Sequence, residues 1–394
     1  MRFPEFSGEW EEHTLSEYLE FKNGLNPDAK RIGSGLPFIS VMDILSEGVI
    51  NYDNIRGKVN ATEKEIECFG VKDGDLLFQR SSETLEDVGR ANVYMDNRTA
   101  IYGGFVIRGR KIGNYDPLFF KYLLATPLAR KRTCRMGAGA QHFNIGQEGL
   151  SKISLYFPSI EDQRTLAEFI SLIDERIATQ NKIIEDLKKL KSAISKYLFA
   201  RKDLLETTIC LSNIATLKNG YAFQSGKYNA LGKWKILTIT NVPGERYIND
   251  EDCNCIINLP NDIQDHQVLK EGDILISLTG NVGRVSLCKN GNYLLNQRVG
   301  LLQLAKNVNQ EFLYQILSSQ RFENSMIACG QGAAQMNIGK GDVENYVLPY
   351  SSNGNNILFA AKILHSYDEC IINELRRLTL LTMQKQYLLT QMFI

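Results

Sequence analysis

The sequence lacks the features that identify secreted, membrane-spanning and disulfide-stabilised proteins. Its eight cysteines are scattered over 394 residues, without the dense spacing of a disulfide framework. None forms the Cys-x-x-Cys pair that zinc sites often contain. No apolar run approaches the ~18 residues that a membrane-spanning helix needs, and no apolar signal-peptide segment follows Met1. The sequence therefore predicts a cytoplasmic protein with reduced thiols.

Motifs of common catalytic sites are also absent. Because there is no Pro-Pro pair, the chain has no Asn/Asp-Pro-Pro-aromatic loop of the kind expected in a methyltransferase acting on an exocyclic amine. It contains neither a Gly-x(4)-Gly-Lys-Ser/Thr phosphate loop nor a Gly-x-Ser-x-Gly elbow. Cys253 and Cys255 have no second pair, and there are only four histidines, so we predict no metal site. These absences favour a binding or scaffolding role without catalytic residues.

Net charge does not indicate a partner. The 45 lysines and arginines are balanced by 45 aspartates and glutamates, so overall basicity gives no reason to expect nucleic-acid binding. A hydrophobic content of 43% predicts a folded protein, and the length predicts two or three domains. Any interaction with DNA must therefore depend on local features.

An ordered internal repeat is the main signal in the sequence. Six short motifs of the first half recur in the same order in the second half, displaced by 193 to 198 residues. The period is longer than the ~20–50 residues of solenoid repeats, so two copies of one unit are predicted. The pairs are Leu15-Ser16 and Leu211-Ser212, Lys22-Asn23-Gly24 and Lys218-Asn219-Gly220, Gly74-Asp75 and Gly272-Asp273, Val88-Gly89-Arg90 and Val282-Gly283-Arg284, Asn144-Ile145-Gly146 and Asn337-Ile338-Gly339, and Asp174-Glu175 and Asp368-Glu369.

Each copy begins with short apolar runs separated by Gly, Asn and Asp, a pattern typical of strands joined by turns. Apolar residues at helical spacing then predict a helical stretch at residues 117–132 and another at 310–327. The fold class is therefore α+β, with two similar mixed α/β domains. The predicted strands are residues 37–44, 76–78, 101–107, 236–241, 274–278 and 299–304.

A long amphipathic helix ends each copy. Residues 161–201 contain neither glycine nor proline, and apolar residues recur three and four positions apart there and again near the end of the chain. Such broad stripes predict that the two helices pack on each other as an antiparallel coiled coil, relating the copies by a pseudo-twofold axis. Lys191 and Lys385 interrupt the apolar seam. A helix of about 36 residues is ~54 Å long, so the pair would hold the two domains at a fixed distance.

Turns that carry amides and cations are the candidate DNA contacts. Arginine can bond two acceptors of guanine, and asparagine or glutamine can bond adenine in the same way, whereas isolated cations suit phosphate. The basic run Arg130-Lys131-Arg132 is a further candidate. For each residue the alternative is that it only builds a turn. The candidates are Lys22, Asn23, Gln79, Arg80, Ser81 and Arg90 in the first copy and Lys218, Asn219, Tyr221, Thr279, Asn281, Arg284, Gln297 and Arg298 in the second.

A glycine-rich segment in each copy adds four more candidates. Residues 137–141 precede Asn144, and residues 330–335 precede Asn337. Both segments are uncharged and contain a glutamine, Gln141 or Gln335, and small residues let a backbone approach a ligand closely. We predict that these two glutamines and two asparagines contact DNA, while a simple tight turn remains the alternative.

Taken together, the duplicated Gly-Asp-Leu/Ile-Leu blocks, Val-Gly-Arg turns, Gln-x(1–2)-Asn-Ile segments and long helices resemble the specificity subunit of type I restriction-modification enzymes. The resemblance covers nearly the whole chain. The segment Pro158-Ser159-Ile160-Glu161-Asp162-Gln163-Arg164 is similar to the Pro-Leu-x-x-Gln start of the family's helix. The second copy departs from this pattern at residues 349–354, where no charged cap is present.

The resemblance implies a non-catalytic subunit with two target recognition domains, at residues 1–157 and 204–350, and spacer helices at 158–203 and 351–394. Each domain would read one half of a bipartite site in double-stranded DNA, and the helices would set the spacing and dock two methyltransferase subunits. No cofactor is expected in this chain. The S-adenosylmethionine, ATP and Mg²⁺ would belong to the methyltransferase and motor-nuclease subunits.

Two other functions remain open from the sequence. One is a DNA-acting enzyme with an unrecognised active site, and the other is a duplicated scaffold that binds only protein. The zero net charge is low for a protein that binds DNA alone. It is consistent with the resemblance if partner subunits neutralise much of the phosphate charge.

Overall fold

The computed structural model describes residues 9–139, 141–331 and 336–393. The chain divides into two compact units. Unit 1 comprises Met1–Asn181 and Arg377–Ile394, and unit 2 comprises Lys182–Arg376. Each unit therefore contains a segment of both long helices. The domain boundaries predicted from the sequence remain a prediction.

Unit 1 is built on a four-stranded antiparallel sheet. Its strands are β1 (Glu11–Thr14), β2 (Leu19–Asn23), β3 (Ile32–Ile39), β4 (Gly57–Val59), β5 (Leu76–Gln79), β6 (Ser81–Ser82), β7 (Ala91–Val93), β8 (Ile101–Tyr102), β9 (Val106–Lys111), β10 (Phe143–Asn144) and β11 (Ser154–Phe157). The four-stranded sheet has the order β2-β9-β5-β7, and a smaller sheet has the order β4-β3-β8. Strands β1 and β11 pair with each other, as do β6 and β10. All four residues of β5 are buried, so its apolar residues Leu76, Leu77 and Phe78 are consecutive and do not alternate with exposed polar ones.

The helices of unit 1 are α1 (Val41–Ile44), α2 (Glu63–Phe69), α3 (Pro117–Ala125), α4 (Pro127–Cys134), α5 (Gln147–Ser151) and α6 (Ile160–Ala200), the last of which continues into unit 2. The helical stretch predicted at residues 117–132 is confirmed, and it consists of two separate helices, α3 and α4. Pro127 cannot donate the hydrogen bond that would continue α3, and the Thr126 hydroxyl accepts from the N–H of Ala129 to cap α4.

Unit 2 repeats this arrangement. Its strands are β12 (Thr207–Cys210), β13 (Ala215–Asn219), β14 (Trp234–Leu237), β15 (Asn254–Ile256), β16 (Val268–Leu269), β17 (Ile274–Ser277), β18 (Val285–Leu287), β19 (Tyr293–Leu295), β20 (Val299–Leu304) and β21 (Val347–Tyr350). The main sheet has the order β13-β20-β17-β18, which matches that of unit 1, and the smaller sheet has the order β15-β14-β19-β16. The predicted duplication and the mixed α and β class are therefore confirmed.

The helices of unit 2 are α7 (Gln310–Leu317), α8 (Gln320–Cys329), α9 (Lys340–Glu344) and α10 (Gly354–Met392), the last of which ends in unit 1. The helical stretch predicted at residues 310–327 is also confirmed as two helices, α7 and α8. Ser319 interrupts it, because the Ser319 hydroxyl accepts from the N–H of Phe322 and caps α8.

Three predicted strands are shorter than expected. Residues 37–44 end as a strand at Ile39, and residues 236–241 end at Leu237. In both cases a capping box follows, Ser40 with Asp43 and Thr238 with Asn241, and starts a helical turn. The run 101–107 is divided into β8 and β9 by a tight turn between them. The predicted strands at 76–78, 274–278 and 299–304 are confirmed as β5, β17 and β20.

The two predicted long helices are confirmed, with 41 residues in α6 and 39 in α10. The Ser159 hydroxyl accepts from the N–H of Asp162 to cap α6. The second copy, which lacks that motif, uses Asn353 instead, whose side-chain oxygen accepts from the N–H of Asn355. In the described ranges no helix is long and apolar enough to cross a membrane.

Segments of α6 and α10 pair within each unit. In unit 1, Lys385 lies 2.5 Å from Asp174, and in unit 2, Lys191 lies 2.6 Å from Asp368. Leu198 shares the core of unit 2 with residues 357–364, so the residue number falls on α10 as it rises on α6. The predicted antiparallel pairing is confirmed. The two lysines that interrupt the apolar seam are the partners of these two aspartates.

Candidate nucleic-acid interface

Five turn segments of unit 1 meet at one edge of its main sheet. We call residues 23–25, 79–82, 90, 103–105 and 141–144 turn cluster 1. Main-chain hydrogen bonds join the segments, so that side chains far apart in the sequence share one surface. These bonds run from the N–H of Leu25 to the carbonyl of Tyr102 (2.9 Å), from Arg80 to Phe105 (2.9 Å), from Ile145 to Arg80 (3.0 Å) and from Gln79 to Arg90 (2.8 Å).

Unit 2 contains the same arrangement. We call residues 219–221, 277–281, 284, 296–298 and 337 turn cluster 2. Its bonds match those of turn cluster 1 one by one, and we refer to this shared set as the common frame. They run from the N–H of Tyr221 to the carbonyl of Leu295 (2.8 Å), from Leu278 to Arg298 (3.0 Å), from Ile338 to Leu278 (2.9 Å) and from Ser277 to Arg284 (2.9 Å).

The asparagine that follows the glycine-rich segment of each unit is held at its cluster by a hydroxyl. The Ser81 hydroxyl donates to the side-chain oxygen of Asn144, and these residues are opposite each other in the β6–β10 pair. In unit 2 the Thr279 hydroxyl donates to the side-chain oxygen of Asn337 at 3.1 Å, across an equivalent bridge. These four candidates therefore have a structural role in the frame, whatever they contact in addition.

Two glycines permit a close approach within the frame. A Cβ on Gly24 would lie 2.1 Å from the carbonyl oxygen of Gly103, and a Cβ on Gly220 would lie 2.2 Å from that of Asn296. No side chain fits at either position. This is the physical reason why a glycine follows Lys-Asn in both copies, and its absence of a side chain lets the first segment of each cluster pack against the turn that follows β8 or β19.

The candidate cations of unit 1 lie close to partners within the unit. The Lys22 ammonium is 2.9 Å from the Cys68 sulfur, Arg80 donates to a carbonyl of the cluster, and Arg90 is 2.7 Å from Asp87. The Arg90 and Asp87 side chains are 53% and 37% exposed, and such exposed pairs contribute little to stability. Arg90 can therefore exchange Asp87 for a phosphate at small cost.

In unit 2, the Tyr221 hydroxyl donates to Asp262 at 2.8 Å, and this hydrogen bond raises the pKa of Tyr221. Its ring centroid lies 4.9 Å from that of Phe223. Arg284 is 3.4 Å from Glu323 in a partly exposed pair. The Tyr221 ring is thus fixed in orientation, while Arg284, like Arg90, is available to an anion.

The candidates differ in exposure. Gln79 is buried, with 4% of its surface exposed, and its side chain donates to the carbonyl of Ser81. Its DNA contact and those of the other candidates remain predictions. Gln335 lies outside the described residues. Asn23, Arg90, Gln141, Asn144, Asn219, Asn281, Gln297, Arg298 and Asn337 are exposed, and Lys22, Arg80, Ser81, Lys218, Tyr221, Thr279 and Arg284 are half-buried.

Two arginines of the basic run have structural roles. Arg130 donates to the carbonyls of Glu86 and Val88 at 2.8 and 2.6 Å, so it supports the loop that precedes Arg90. Burial lowers the pKa of its guanidinium. Arg132 lies 2.7 Å from Glu12 and bonds Ser154, where β1 meets β11. The basic run is therefore not a simple phosphate-binding patch.

Sequence reasoning missed Phe105, whose side chain is 67% exposed in turn cluster 1. The prediction of one strand at residues 101–107 overlooks the turn that contains Phe105. Alignment of Val106 with Val299, each the first residue of a strand in the repeated sheet, would have revealed it. In such an alignment, Phe105 in the first copy is equivalent to the candidate Arg298 in the second copy.

The described parts of the chain contain no group of three or more His, Cys, Asp or Glu side chains placed to hold a metal ion. The buried polar cluster of unit 2 is structural. There Arg246 lies 2.7 Å from Glu311 and 3.0 Å from Asp368. Although burial favours the neutral acid, hydrogen bonds from Arg246 and Gln315 hold the pKa of Glu311 below its usual value.

Comparisons with known proteins match both copies. The family model described as the type I restriction modification DNA specificity domain matches residues 7–189 and again residues 206–382. The chain is 24% identical over 354 residues to the type I restriction enzyme MjaVIII specificity subunit of Methanocaldococcus jannaschii, covering 83% of this chain and 78% of that protein. It is 23% identical over 366 residues to the putative MjaX specificity subunit of the same organism, covering 88% and 84%.

Solved structures agree at the level of the fold. The crystal structure of a type I restriction-modification S subunit from M. genitalium superposes with a TM-score of 0.59 at 16% identity, covering 100% of this chain and 99% of that one. A structure from a study of complex assembly and conformational transition of the type I restriction-modification system has the same TM-score at 14% identity, covering 98% and 97%.

Proposed function

Since the chain belongs to the type I restriction-modification DNA specificity family, we propose that turn clusters 1 and 2 each read one half of a bipartite site in double-stranded DNA. One observation carries this proposal. The two clusters share a common frame of main-chain hydrogen bonds but present different side chains on it. A shared frame suits one way of docking on DNA, and different side chains suit two different half-site sequences.

We propose that α6 and α10 set the spacing between the half-sites. A helix of 41 residues is about 60 Å long. In unit 1, the Tyr122 hydroxyl of α3 donates to Asp174 on α6 at 2.9 Å. In unit 2, Gln315 of α7 donates to Asp368 on α10 at 2.6 Å. The domain of each unit is thus attached to its helix pair by a hydrogen bond, partly buried in unit 1 and buried in unit 2, which supports a fixed spacing.

The proposed partners are two methyltransferase subunits, docked on the long helices, and motor-nuclease subunits. Apolar side chains on the outside of the helices support docking, because soluble proteins rarely leave many large ones exposed together. Those of unit 1 that are more than half exposed are Leu172 (56%), Leu380 (66%), Met383 (62%) and Tyr387 (60%).

The chain itself is proposed to be non-catalytic and to act in the cytoplasm. S-adenosylmethionine, ATP and Mg²⁺ would bind the partner subunits and not this chain. The balanced charge supports this division, because a protein that neutralised the DNA phosphates alone would carry a net positive charge. The partner subunits are expected to supply that charge.

Mapping of methylated adenines in cells with and without this protein tests the proposal. We expect one bipartite motif to lose methylation when the protein is removed. An unchanged methylation pattern, in cells that express the partner subunits, would contradict it. The purified chain should bind no S-adenosylmethionine and turn over no DNA. Turnover of DNA without partners would favour an enzyme, and an absence of binding in competition assays with DNA of varied sequence would favour a scaffold that binds only protein.

A further inference from the structure

The turn that follows β8 in unit 1 has an equivalent after β19 in unit 2. The N–H of Val106 bonds the carbonyl of Gly103 at 2.9 Å, and the N–H of Val299 bonds that of Asn296 at 2.9 Å. Both are four-residue turns that lead directly into the central strand, β9 or β20. Phe105 and Arg298 therefore occupy the same position, the third residue of the turn.

The carbonyl groups confirm this equivalence. The carbonyl of Phe105 accepts from the N–H of Arg80, and the carbonyl of Arg298 accepts from the N–H of Leu278. Arg80 and Leu278 are themselves equivalent, because each bonds the residue after the asparagine of the glycine-rich segment. The two backbones are thus fixed alike, and only the side chains differ.

Comparison of the two clusters separates their residues into two groups. Residue types that recur at equivalent positions cannot distinguish one half-site sequence from another, so they suit the frame or phosphate contacts. Residue types that differ are the ones able to read different bases. The recurring group comprises Lys22 and Lys218, Asn23 and Asn219, Arg90 and Arg284, Asn144 and Asn337, and also Ser81 and Thr279, whose hydroxyls bond those two asparagines alike.

We infer that Phe105 and Arg298 are specificity-determining residues, Arg298 contacting a guanine in one half-site and Phe105 a thymine methyl group in the other. The inference rests on the proposed function. Arginine binds guanine O6 and N7 through two hydrogen bonds, and an apolar side chain contacts the thymine methyl group in the major groove. Phe105 is 67% exposed and Arg298 is also exposed, so both side chains can reach a base edge.

The neighbouring position differs in a related way. In unit 1 the second residue of the turn is Gly104, and a Cβ there would lie 1.8 Å from the side-chain oxygen of Asn26. In unit 2 the second residue is Gln297, and Ala222 stands at the position of Asn26. An amide is therefore present beside Phe105 and beside Arg298, but it comes from a different segment in each unit. Amides bind adenine, and the two would present theirs from different sides.

An exposed phenylalanine alone would carry no inference, because single apolar side chains are common on protein surfaces. Ile112 supplies the comparison. It is 59% exposed in the same unit but lies beyond Lys111, at the opposite end of β9, where its N–H bonds the carbonyl of Tyr18. Ile112 therefore provides a matched control for substitution of Phe105.

The test uses the complex purified through a tag on this chain, with selection from a pool of random-sequence duplex DNA. We expect Arg298→Phe to lower the selection of guanine over the other bases at one position of one half-site roughly tenfold. The other half-site should be unchanged. Phe105→Arg should replace a thymine by a guanine in the other half-site. Ile112→Arg, which adds the same charge, and Arg321→Phe, on the exposed part of α8, should leave the motif unchanged.

Arg298→Lys distinguishes base contact from phosphate contact. A lysine retains the charge but not the paired hydrogen bonds, so guanine preference should fall while overall affinity is retained. A uniform loss of affinity with an unchanged motif in Arg298→Phe would assign Arg298 to phosphate and overturn the inference. So would a change in both half-sites. If the unmodified complex selects no bipartite motif, the proposed function itself fails, which is a separate result.

Discussion

Asp174 and Lys385 form an ion pair of 2.5 Å between α6 and α10 in unit 1. The other oxygen of the Asp174 carboxylate accepts from the Tyr122 hydroxyl. In unit 2, Asp368 is bonded in the same way by Lys191 and by Gln315. Each aspartate thus joins three elements of its unit, the two long helices and the first helix that follows the main sheet.

The aspartate and the lysine of this ion pair lie on opposite helices in the two units. In unit 1 the aspartate is on α6 and the lysine on α10, whereas in unit 2 the aspartate is on α10 and the lysine on α6. The repeat explains this difference, because the interval from Asp174 to Asp368 is the same as the interval from Lys191 to Lys385. A duplicated helix that carries one aspartate and one lysine therefore supplies a complementary pair to each unit when it is paired antiparallel.

Replacement of Asp368 by Asn should destabilise the chain. Asp368 is 6% exposed and accepts from the Lys191 and Arg246 cations, so its loss leaves two largely buried cations short of a counter-charge. We expect the free energy of unfolding to fall by about 3–5 kcal/mol, measured by denaturant titration. Glu148→Gln breaks the exposed pair with Lys152 and should change the free energy of unfolding far less, because exposed pairs contribute little to stability. Equal effects of the two substitutions would contradict this account.

The sequence predicted the duplication, the strands β5, β17 and β20 and both long helices, because these depend on local patterns and on recurrence. It did not predict that Lys191 and Lys385 belong to the helix contact. A cation within an apolar stripe indicates an interruption unless the opposite residue is known, and that residue lies 177 positions away for Lys191. The partner is defined by the tertiary fold and not by the pattern on one helix.

The candidate site was predicted in part for the same reason. The turns were identified from their glycines and amides, but the burial of Gln79 and the exposure of Phe105 depend on how five segments meet. The shortened strands, in contrast, had a local signal. Ser40-x-x-Asp43 and Thr238-x-x-Asn241 are capping sequences, which start a helical turn and end the preceding strand. The apolar residues within these sequences look like a continuation of each strand.

The contact between Arg31 and Glu65 should make stability depend on pH. Hydrogen bonds from the Arg31 guanidinium, and from the N–H of Thr62 at the start of α2, lower the pKa of Glu65 to about 2. A carboxylate with a lowered pKa stabilises the folded state above its unfolded pKa, near 4.5, and this contribution is lost as the pH falls towards 2.

We therefore expect Glu65→Gln to lower the melting temperature at pH 6 and to differ less from the unmodified chain as the pH falls to 3, measured by thermal melts at both values. Glu63→Gln, in the same helical turn, is the control. A difference between Glu65→Gln and the unmodified chain that is the same at pH 6 and pH 3 would show that the carboxylate charge is not responsible.

Arg130 should keep ordered the loop that precedes Arg90 in turn cluster 1. Its guanidinium donates hydrogen bonds to the carbonyls of Glu86 and Val88 in that loop. Arg130→Ala removes both bonds, so we expect faster amide hydrogen exchange at Gly89, whose N–H bonds the carbonyl of Gln79. Lys131→Ala, an exposed neighbour on α4, should leave that exchange rate unchanged. Equal exchange in both variants would exclude a supporting role for Arg130.

Shortening of both long helices tests the spacing role. Residues 179–185 of α6 and 374–380 of α10 each lie between the two Asp–Lys pairs on their helix, and removal of seven residues preserves the apolar stripe of an antiparallel pair. Each helix becomes shorter by about 10 Å, which corresponds to about three base pairs at 3.4 Å each. We expect the unread gap of the methylated motif to shorten by about that number, while both half-site sequences persist. A matched variant that loses residues 179–185 from α6 alone prevents the two Asp–Lys pairs from forming at the same time, and we expect it to lose methylation altogether. A gap of unchanged length in the doubly shortened chain would mean that the helices do not set the spacing.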